Sequence, residues 1–308
     1  MRQIEIIGMN EFLISTAEIP KPNFDEVLLK VKAIGLNRAD ILQSEGLYPS
    51  PNISNVPGLE VSGDIEGNAV SVCALVASGG FSEYVLVKKR HIMPIPKNLD
   101  VIQAAALPEA LITCWLNLFE LGGIENAESV LIHGGSSGIG TFAIQIAKAL
   151  NKKVYSSVGS DDKIEKCKEL GADGVFNYHK DYVQMIKGNG GVDIILDILG
   201  GEYFSKNLSC LNQSGKLILI TIMDGSNSIA NLAAILMKNL QIFGSTLRSK
   251  PTDEKAMLVD SVIKNLYPYI ENGKIVPQID SIYKFEDFEQ ALNRMRSRKH
   301  FGKIIITT

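Results

Sequence analysis

The chain has 308 residues, of which 45% are hydrophobic and 21% charged, and its formal net charge is −3. This length is enough for two domains, and the composition is typical of a soluble globular protein. Because the sequence has no basic block and no apolar run of transmembrane length, it gives no support to binding of nucleic acid or a membrane.

The cysteines point to a reducing compartment. Cys73, Cys114, Cys167 and Cys210 are far apart, with no Cys-x-x-Cys pair and no histidine at ligand spacing. Zinc-ribbon and disulfide interpretations are therefore both poor. The first residues, Met-Arg-Gln-Ile-Glu-Ile-Ile, are typical of a strand and not of a signal peptide. We expect a cytoplasmic protein with reduced, mostly buried thiols.

Residues 1–105 contain short β-like runs such as 27–33 and 84–87, punctuated by prolines, which predicts a mostly β domain. From Ala104 onward strands and helices alternate, which implies a parallel sheet covered by helices. The predicted strands of this part are 129–133, 153–158, 174–176, 192–198, 216–221 and 240–246. A long helix from Pro251 to about Asn272, a helix from Glu286 and a final strand over 303–307 complete the chain.

The most informative stretch is 129–140, Ser-Val-Leu-Ile-His-Gly-Gly-Ser-Ser-Gly-Ile-Gly. A β-branched apolar run ends in a glycine-rich turn that opens an amphipathic helix. Gly135 and Gly138 let the backbone approach a pyrophosphate, and the N–H groups and dipole at the helix start favour the anion. Gly140 allows the helix to lie close to the strand. A glycine triplet alone is weak, but the flanking strand and helix supply its required context.

The same glycine turn also resembles that of short-chain dehydrogenases. In that family the turn lies near the N-terminus, and a Tyr-x-x-x-Lys pair supplies the acid. Here about 130 residues precede the turn, and no tyrosine has a lysine four places on. The short-chain interpretation therefore fails on both position and chemistry.

The dinucleotide is predicted to be NADP(H). An NAD site usually has an acid at the tip of the second strand, where it binds the ribose 2′-hydroxyl. Here the strand ends in Val158-Gly159-Ser160, and Lys163 follows in the next turn, placed to pair with a 2′-phosphate. Two alternatives stay open. Ser160 is also a suitable N-cap, and Asp161 or Asp162 would favour NAD if it turned toward the ribose.

Taken together, a series of short segments resembles the medium-chain dehydrogenase/reductases, specifically the zeta-crystallin-like quinone oxidoreductases. The segments are Leu36-Asn37-Arg38-Ala39-Asp40, Pro57-Gly58-Leu59-Glu60, 104–110, 133–140, Gly159-Ser160, 170–173, 176–178, 196–201 and Gly302-Lys303. The resemblance implies a GroES-like β domain from residues 1–106 and 251–308. A Rossmann domain, a doubly wound parallel sheet, would occupy residues 107–250, giving an α/β fold with a ligand cleft between the domains.

The resemblance also shows what is missing. Zinc-dependent alcohol dehydrogenases of this superfamily carry a cysteine where Asn37 stands and a histidine where Leu59 stands. No metal site is therefore expected. Without a Lewis acid, alcohol oxidation is disfavoured, and a substrate that is already electrophilic, such as a quinone or an activated alkene, fits better.

Family roles carry over to named residues. The resemblance assigns Gly135, Ser137, Gly138 and Ile139 to the pyrophosphate turn and Ser160, Lys163 and Tyr178 to the 2′-phosphate. It assigns Phe243, Gly244 and Ser245 to the nicotinamide side, and Asn37, Tyr48 and Thr113 to the pocket beside it. Each of the last three has a structural alternative: Asn37 as a turn cap, Tyr48 as a surface aromatic, and Thr113 bonded to its own helix. Tyr178 has one too, as an aromatic at a strand end.

We expect an NADPH-dependent quinone or enone reductase. The alternatives are a 2-alkenal or enoyl thioester reductase, and an NADPH-binding sensor or structural protein with little turnover. Solvent or Tyr48 would supply a proton, or none would be needed in one-electron transfer. The segment 62–75 lacks roughly ten residues that the family carries, about one β-hairpin. We also expect a homodimer through the edge strand 240–247, unless helix 228–238 covers that edge.

Overall fold

The computed structural model describes residues 1–48, 55–68 and 70–308. Its contacts divide these residues into two units. The β unit contains both ends of the chain, Met1–Ile112, Arg248–Gly273 and Pro277–Thr308. The α/β unit contains Thr113–Leu247 and Lys274–Val276.

Strands and helices follow one another along the chain with these bounds. The strands are β1 Arg2–Gly8, β2 Glu11–Thr16, β3 Glu26–Leu36, β4 Glu60–Ile65, β5 Ser71–Leu75, β6 Tyr84–Lys88, β7 Ile92–Pro94, β8 Ser129–His133, β9 Lys153–Val158, β10 Gly174–Asn177, β11 Val192–Asp197, β12 Leu211–Leu219, β13 Gln241–Gly244, β14 Ile279–Lys284 and β15 Lys303–Thr307. The α-helices are α1 Arg38–Ser44, α2 Val101–Ala104, α3 Pro108–Cys114, α4 Gly138–Ala149, α5 Ile164–Glu169, α6 Val183–Gly188, α7 Tyr203–Cys210, α8 Leu232–Lys238, α9 Thr252–Asn265, α10 Tyr267–Glu271 and α11 Phe288–Arg296.

The β unit is built on one mixed sheet in the order β14-β15-β3-β4-β5-β7, with β6 paired to β3. The C-terminal strand β15 lies antiparallel to β3, so the two chain ends share one core. β4 and β5 pair with each other from Glu60–Leu75 to Asp64–Ser71, so they form one short hairpin. Ala69 lies outside the described residues.

The α/β unit contains a six-stranded parallel sheet in the order β10-β9-β8-β11-β12-β13. This order confirms the predicted doubly wound sheet, since the chain leaves β8 first on one side and then on the other. All five residues of β8 are buried, as expected of a central parallel strand covered on both faces. The carboxyl ends of all six strands meet at one edge, where this fold binds ligands.

Several predicted elements need correction. The strand predicted over 216–221 runs from Leu211 to Leu219, and the α-helix predicted from Glu286 begins at Phe288, after a 3-10 turn. The helix predicted over 251–272 is two helices, α9 and α10, and Pro268 is the second residue of α10. Proline has no N–H to continue the hydrogen-bond ladder of the preceding helix. The last strand of the α/β sheet is Gln241–Gly244, shorter than the predicted 240–246. All four cysteines are buried free thiols.

Candidate dinucleotide site

The glycine-rich turn after β8 packs closely against neighbouring residues. Gly134 has φ +73°, a left-handed conformation that favours glycine. The Gly135 N–H donates to the Ser157 carbonyl at 2.9 Å, which ties the turn to β9. A Cβ atom on Gly135 would collide with the Ser156 hydroxyl oxygen, so no side chain fits there.

The turn leads directly into the N-terminus of α4. The Ser137 hydroxyl oxygen caps the helix by accepting from the Gly140 N–H at 2.9 Å. A Cβ atom on Gly140 would collide with the Gly134 carbonyl oxygen, which explains the glycine at this position. Ser137, Gly138 and Ile139 are half-buried at the start of a 12-residue helix. Backbone N–H groups and the helix dipole make this end suited to a phosphate group.

Lys163, Ser160 and Tyr178 gather at the carboxyl ends of β9 and β10. The Tyr178 hydroxyl lies over Gly159, 2.6 Å from where a Cβ atom of that residue would be. Ser160 and Lys163 bracket the one-turn 3-10 helix that follows β9. Lys163 is only 7% exposed, so its side chain does not extend into solvent. The three residues predicted for the 2′-phosphate therefore all follow the carboxyl ends of the neighbouring strands β9 and β10.

Both acids of this turn have hydrogen-bond partners, either within the turn or in residues 177–180 at the end of β10. The Asp161 carboxylate accepts from Lys180 at 2.6 Å and from Asn177 at 2.9 Å. Asp162 accepts from the Ser160 hydroxyl, and this bond lowers the pKa of its carboxyl. Asp161 is thus directed to the end of β10. Ser160 stands at the N-cap position without making a side-chain cap bond to the helix backbone.

A buried polar network joins the ends of β8, β9 and β11 to α7. His133 contacts the Ser157 hydroxyl at 2.7 Å and the Asn207 side-chain oxygen at 2.8 Å. Tyr182 also donates to that Asn207 oxygen, at 2.9 Å, and the Asn207 amide donates to Asp197 at 3.1 Å. Burial lowers the pKa of His133, which favours the neutral imidazole. Sequence reasoning missed this network, because its members come from separate elements.

The predicted nicotinamide-side residues follow the last strand. Phe243 and Gly244 end β13, and Ser245 comes next. The Ser245 hydroxyl donates to the Asn117 side-chain oxygen at 2.6 Å, and the Asn117 amide donates to the Thr113 carbonyl at 2.8 Å. Asn117 lies in a π-helix, Trp115–Leu121, a form often found at functional sites. A residue that sequence reasoning missed therefore links the predicted site residues Ser245 and Thr113.

Asn37 lies in the β unit, and both its backbone N–H and its side chain are hydrogen-bonded. As the N-cap of α1, its N–H donates to Asp40 at 2.8 Å. Its amide donates to Glu60 at 2.9 Å and to the Gly35 carbonyl at 3.2 Å, and its side-chain oxygen accepts from Lys303 at 2.8 Å. Lys303 and Glu60 also form a buried ion pair. The residue predicted to line a pocket is therefore part of a structural network.

Tyr48 is also in the β unit, where Arg248 fixes it. The Arg248 guanidinium lies 5.0 Å from the centre of the Tyr48 ring, and it donates to the Tyr48 carbonyl at 3.1 Å. Such stacking of a cation on an aromatic face is attractive. Burial, and after it the negative charge of Glu109, raise the pKa of Tyr48. The phenol therefore keeps its proton at neutral pH.

Two absences concern the described parts of the chain. Within residues 1–48, 55–68 and 70–308, no three His, Cys, Asp or Glu side chains are grouped so that they could hold a metal ion. Across the same ranges, no helix combines the length and apolar character needed to cross a membrane.

Comparison with known proteins agrees with this fold. The family model for a zinc-binding dehydrogenase matches residues 138–263, and that for an alcohol dehydrogenase GroES-like domain matches residues 23–97. A quinone oxidoreductase of Rattus norvegicus is 33% identical over 96% of this chain and 92% of its own length. A synaptic vesicle membrane protein VAT-1 homolog of Danio rerio is also 33% identical, over 92% of this chain, which spans 64% of that relative's length.

Among solved structures, the quinone oxidoreductase of Thermus thermophilus, determined also in complex with NADPH, superposes with a TM-score of 0.90. It is 27% identical, and the match covers 100% of both chains. The fold and the glycine turn define a medium-chain dehydrogenase/reductase, a class of NAD(P)H-dependent oxidoreductases. Within that class, the chain belongs to the quinone oxidoreductase-like family, which confirms the predicted resemblance.

Proposed function

We propose that this protein is a cytoplasmic, NADPH-dependent reductase of quinones or activated alkenes. The observation that carries the proposal is the arrangement at the carboxyl edge of the α/β sheet. There a glycine turn, in which a Cβ atom on Gly135 or Gly140 would collide with neighbouring atoms, opens α4, and a buried lysine follows the adjacent strand β9. A pyrophosphate site beside a cation is what NADPH binding requires.

The residues present fit this cofactor. Gly135, Ser137, Gly138 and Ile139 would hold its pyrophosphate, and Ser160, Lys163 and Tyr178 its 2′-phosphate. Phe243, Gly244 and Ser245 would border the nicotinamide, with Asn117 holding Ser245 in place. When bound, NADPH supplies the hydride. The protein's own contribution is then binding, orientation and exclusion of water.

Tyr48 is the residue we propose as proton donor. Reduction of an activated alkene adds a hydride at one carbon and needs a proton at the other. A phenol whose pKa is raised by burial is still protonated at neutral pH and can supply that proton. Enones and 2-alkenals are therefore included in the proposed substrate range alongside quinones.

The activity is tested with NADPH and a panel of quinones, enones and 2-alkenals, following loss of nicotinamide absorbance. We expect turnover with NADPH on at least one of the electrophilic classes and none with simple alcohols and NADP+. Tight NADPH binding without turnover on any member would instead assign a sensor or structural role. Tyr48→Phe should slow alkene reduction more than quinone reduction if the phenol is the proton donor.

Zinc independence is a second prediction. Lys303 donates to the Asn37 side chain, so an ammonium already stands beside the position where zinc-dependent relatives carry a cysteine ligand. Lys303 also pairs with Glu60, so the side-chain oxygens of Asn37 and Glu60 are already bound by the ammonium and are not open to a metal ion. We expect full activity after exhaustive chelation and no stoichiometric zinc by elemental analysis. A tightly held zinc whose removal abolishes turnover would contradict the proposal.

A homodimer through residues 240–247 is a third prediction. β13 pairs with β12 alone in the α/β sheet, and Ile242 is 39% exposed on it. Helix α8 buries none of its residues and exposes Leu232, Leu236 and Met237. An apolar edge of this kind can pair with its two-fold copy. We expect light scattering to report a dimer at micromolar concentration.

The dimer is tested by changes to the edge strand. Ile242→Pro removes an N–H from the edge, and Ile242→Lys places a charge there, so both should give monomers. Ile282→Lys, on an exposed position of β14 in the β unit, is the matched control and should stay dimeric. A monomeric unmodified protein would show that the edge does not pair.

A further inference from the structure

A cavity of about 740 Å³ lies within the β unit. Its wall is formed by β6, the segment after β5, residues 248–252 and the first turn of α9. The volume is in the range of sites for small organic molecules. Among the described residues of this wall, the charged side chains and the one histidine are mostly basic: Lys88, His91, Arg248, Lys250 and Lys255, against the single acid Glu26.

Two of these basic residues have carboxylate partners. Lys88 pairs with Asp25 at 2.8 Å and with Glu26 at 3.1 Å. Lys250 pairs with Glu254 at 2.9 Å. In these exposed or half-buried pairs the carboxylates neutralise the lysines. The net positive charge of the cavity wall therefore comes from its other basic residues.

Arg248 and Lys255 are different, because they are 7% and 8% exposed and neither forms an ion pair within the described residues. Lys255 donates to the Arg248 carbonyl at 2.7 Å. Arg248 donates to the carbonyls of Tyr48 and Ala77 and to the Gln43 side-chain oxygen. All these acceptors are neutral, so the hydrogen bonds do not cancel the two positive charges.

Buried charges without counter-charges are costly, and burial lowers the pKa of both Arg248 and Lys255. The negative charges of Asp40 and Glu109 act against this lowering for Arg248, and that of Glu109 for Lys255, but among the described residues no ion pair joins either carboxylate to these cations. A protein that keeps two such cations on the wall of one cavity gains stability when an anion binds there, since the anion relieves both charges at once.

We propose that this cavity binds a small organic anion through a carboxylate or phosphate group, with Lys255 and Arg248 as its counter-charges. Arg248 also stacks on Tyr48, so the anion site adjoins the proposed proton donor. The anion is then either the acidic end of a reducible substrate or a separate metabolite. The assignment to the substrate rests on the proposed function, whereas the site itself does not.

The site is tested by thermal unfolding of the apoprotein with inorganic phosphate, at ionic strength held constant with chloride. We expect saturable stabilisation by phosphate. Lys255→Gln keeps a donor for the Arg248 carbonyl but removes the charge, and should weaken phosphate binding at least about tenfold. Lys264→Gln is the matched control, because Lys264 is an exposed lysine on the same helix α9; it should behave like the unmodified protein.

A further variant separates this cavity from the predicted cofactor site. Lys163→Ala should retain the phosphate response if the anion binds in the β unit. Loss of the response in Lys163→Ala but not in Lys255→Gln would place phosphate at the glycine turn and overturn the proposal. Equal stabilisation of all the proteins would also overturn it, since it would be a general salt effect.

The source of the anion is resolved by activity. If it is part of the substrate, an enone bearing a carboxylate should have a lower KM than its neutral analogue, and Lys255→Gln should remove the difference. If it is a separate metabolite, the two enones should have equal KM while phosphate still stabilises the protein through Lys255. Should no substrate be reduced at all, the proposed function fails, and the thermal experiment still decides whether the anion site exists.

Discussion

Replacing Lys163 with alanine is expected to weaken NADPH binding roughly 10- to 150-fold, about 1.5–3 kcal/mol, while NADH binding stays nearly unchanged. The reason is that only NADPH carries the 2′-phosphate. Lys163 is 7% exposed in the turn after β9, beside Ser160. A lysine held in this way is positioned in advance, so little ordering of its side chain is needed on binding. Fluorescence titration of both nucleotides measures the effect.

Lys166→Ala is the control for this prediction. Lys166 is exposed on α5, one turn further along from Lys163. Its removal changes the net charge by the same amount but should leave the preference for NADPH over NADH intact. If Lys163→Ala weakened the binding of NADPH and NADH equally, the lysine would support the structure of the turn and would not bind the 2′-phosphate.

Lys303→Met is expected to lower the free energy of unfolding by about 3–5 kcal/mol, because it leaves the Glu60 carboxylate buried without its counter-charge. The Lys303 and Glu60 side chains are 3% and 0% exposed. Glu60 also accepts from the Asn37 amide at 2.9 Å and from the Glu109 N–H at 2.8 Å, so it cannot turn toward solvent without breaking both bonds. Chemical denaturation followed by circular dichroism gives the measurement.

Two further variants test the cause of that loss. Lys303→Met combined with Glu60→Gln should be more stable than Lys303→Met alone, because the glutamine keeps an acceptor without leaving an unpaired charge. Lys32→Met breaks the partly exposed Lys32–Asp64 pair of the same sheet and should cost about 1 kcal/mol or less. A Lys303→Met loss as small as that of Lys32→Met would contradict this account.

Much of the fold could be predicted because its signals are local. The apolar run 129–133, the glycines that follow it and the helical period after them lie within about twenty consecutive residues. When one face of a strand or helix is buried, the apolar residues of that segment repeat with a recognisable period. The alternation of such strand and helix segments predicted the parallel sheet and its six strands. The same locality places Ser160 and Lys163 in the turn after β9.

The parts of the candidate site that lie in one turn or on neighbouring strands could be predicted from the sequence. The contacts between segments far apart in the chain could not. Tyr178 lies over Gly159 because β10 pairs with β9, and the repeated βαβ pattern makes that pairing expected. By contrast, Asn37 and Tyr48 were assigned to a pocket by resemblance alone. Their partners, Lys303 and Arg248, are 266 and 200 residues away in sequence.

The sequence by itself therefore determined the parallel sheet, the glycine turn and the family. Tertiary structure alone decided which polar groups are satisfied: Asn117 with Ser245, Lys303 with Glu60, and Arg248 with the carbonyls around it. The physical reason is that burial and hydrogen-bond partners depend on contacts between segments far apart in the chain. A single asparagine, lysine or arginine has the same letter whether it is solvated or buried.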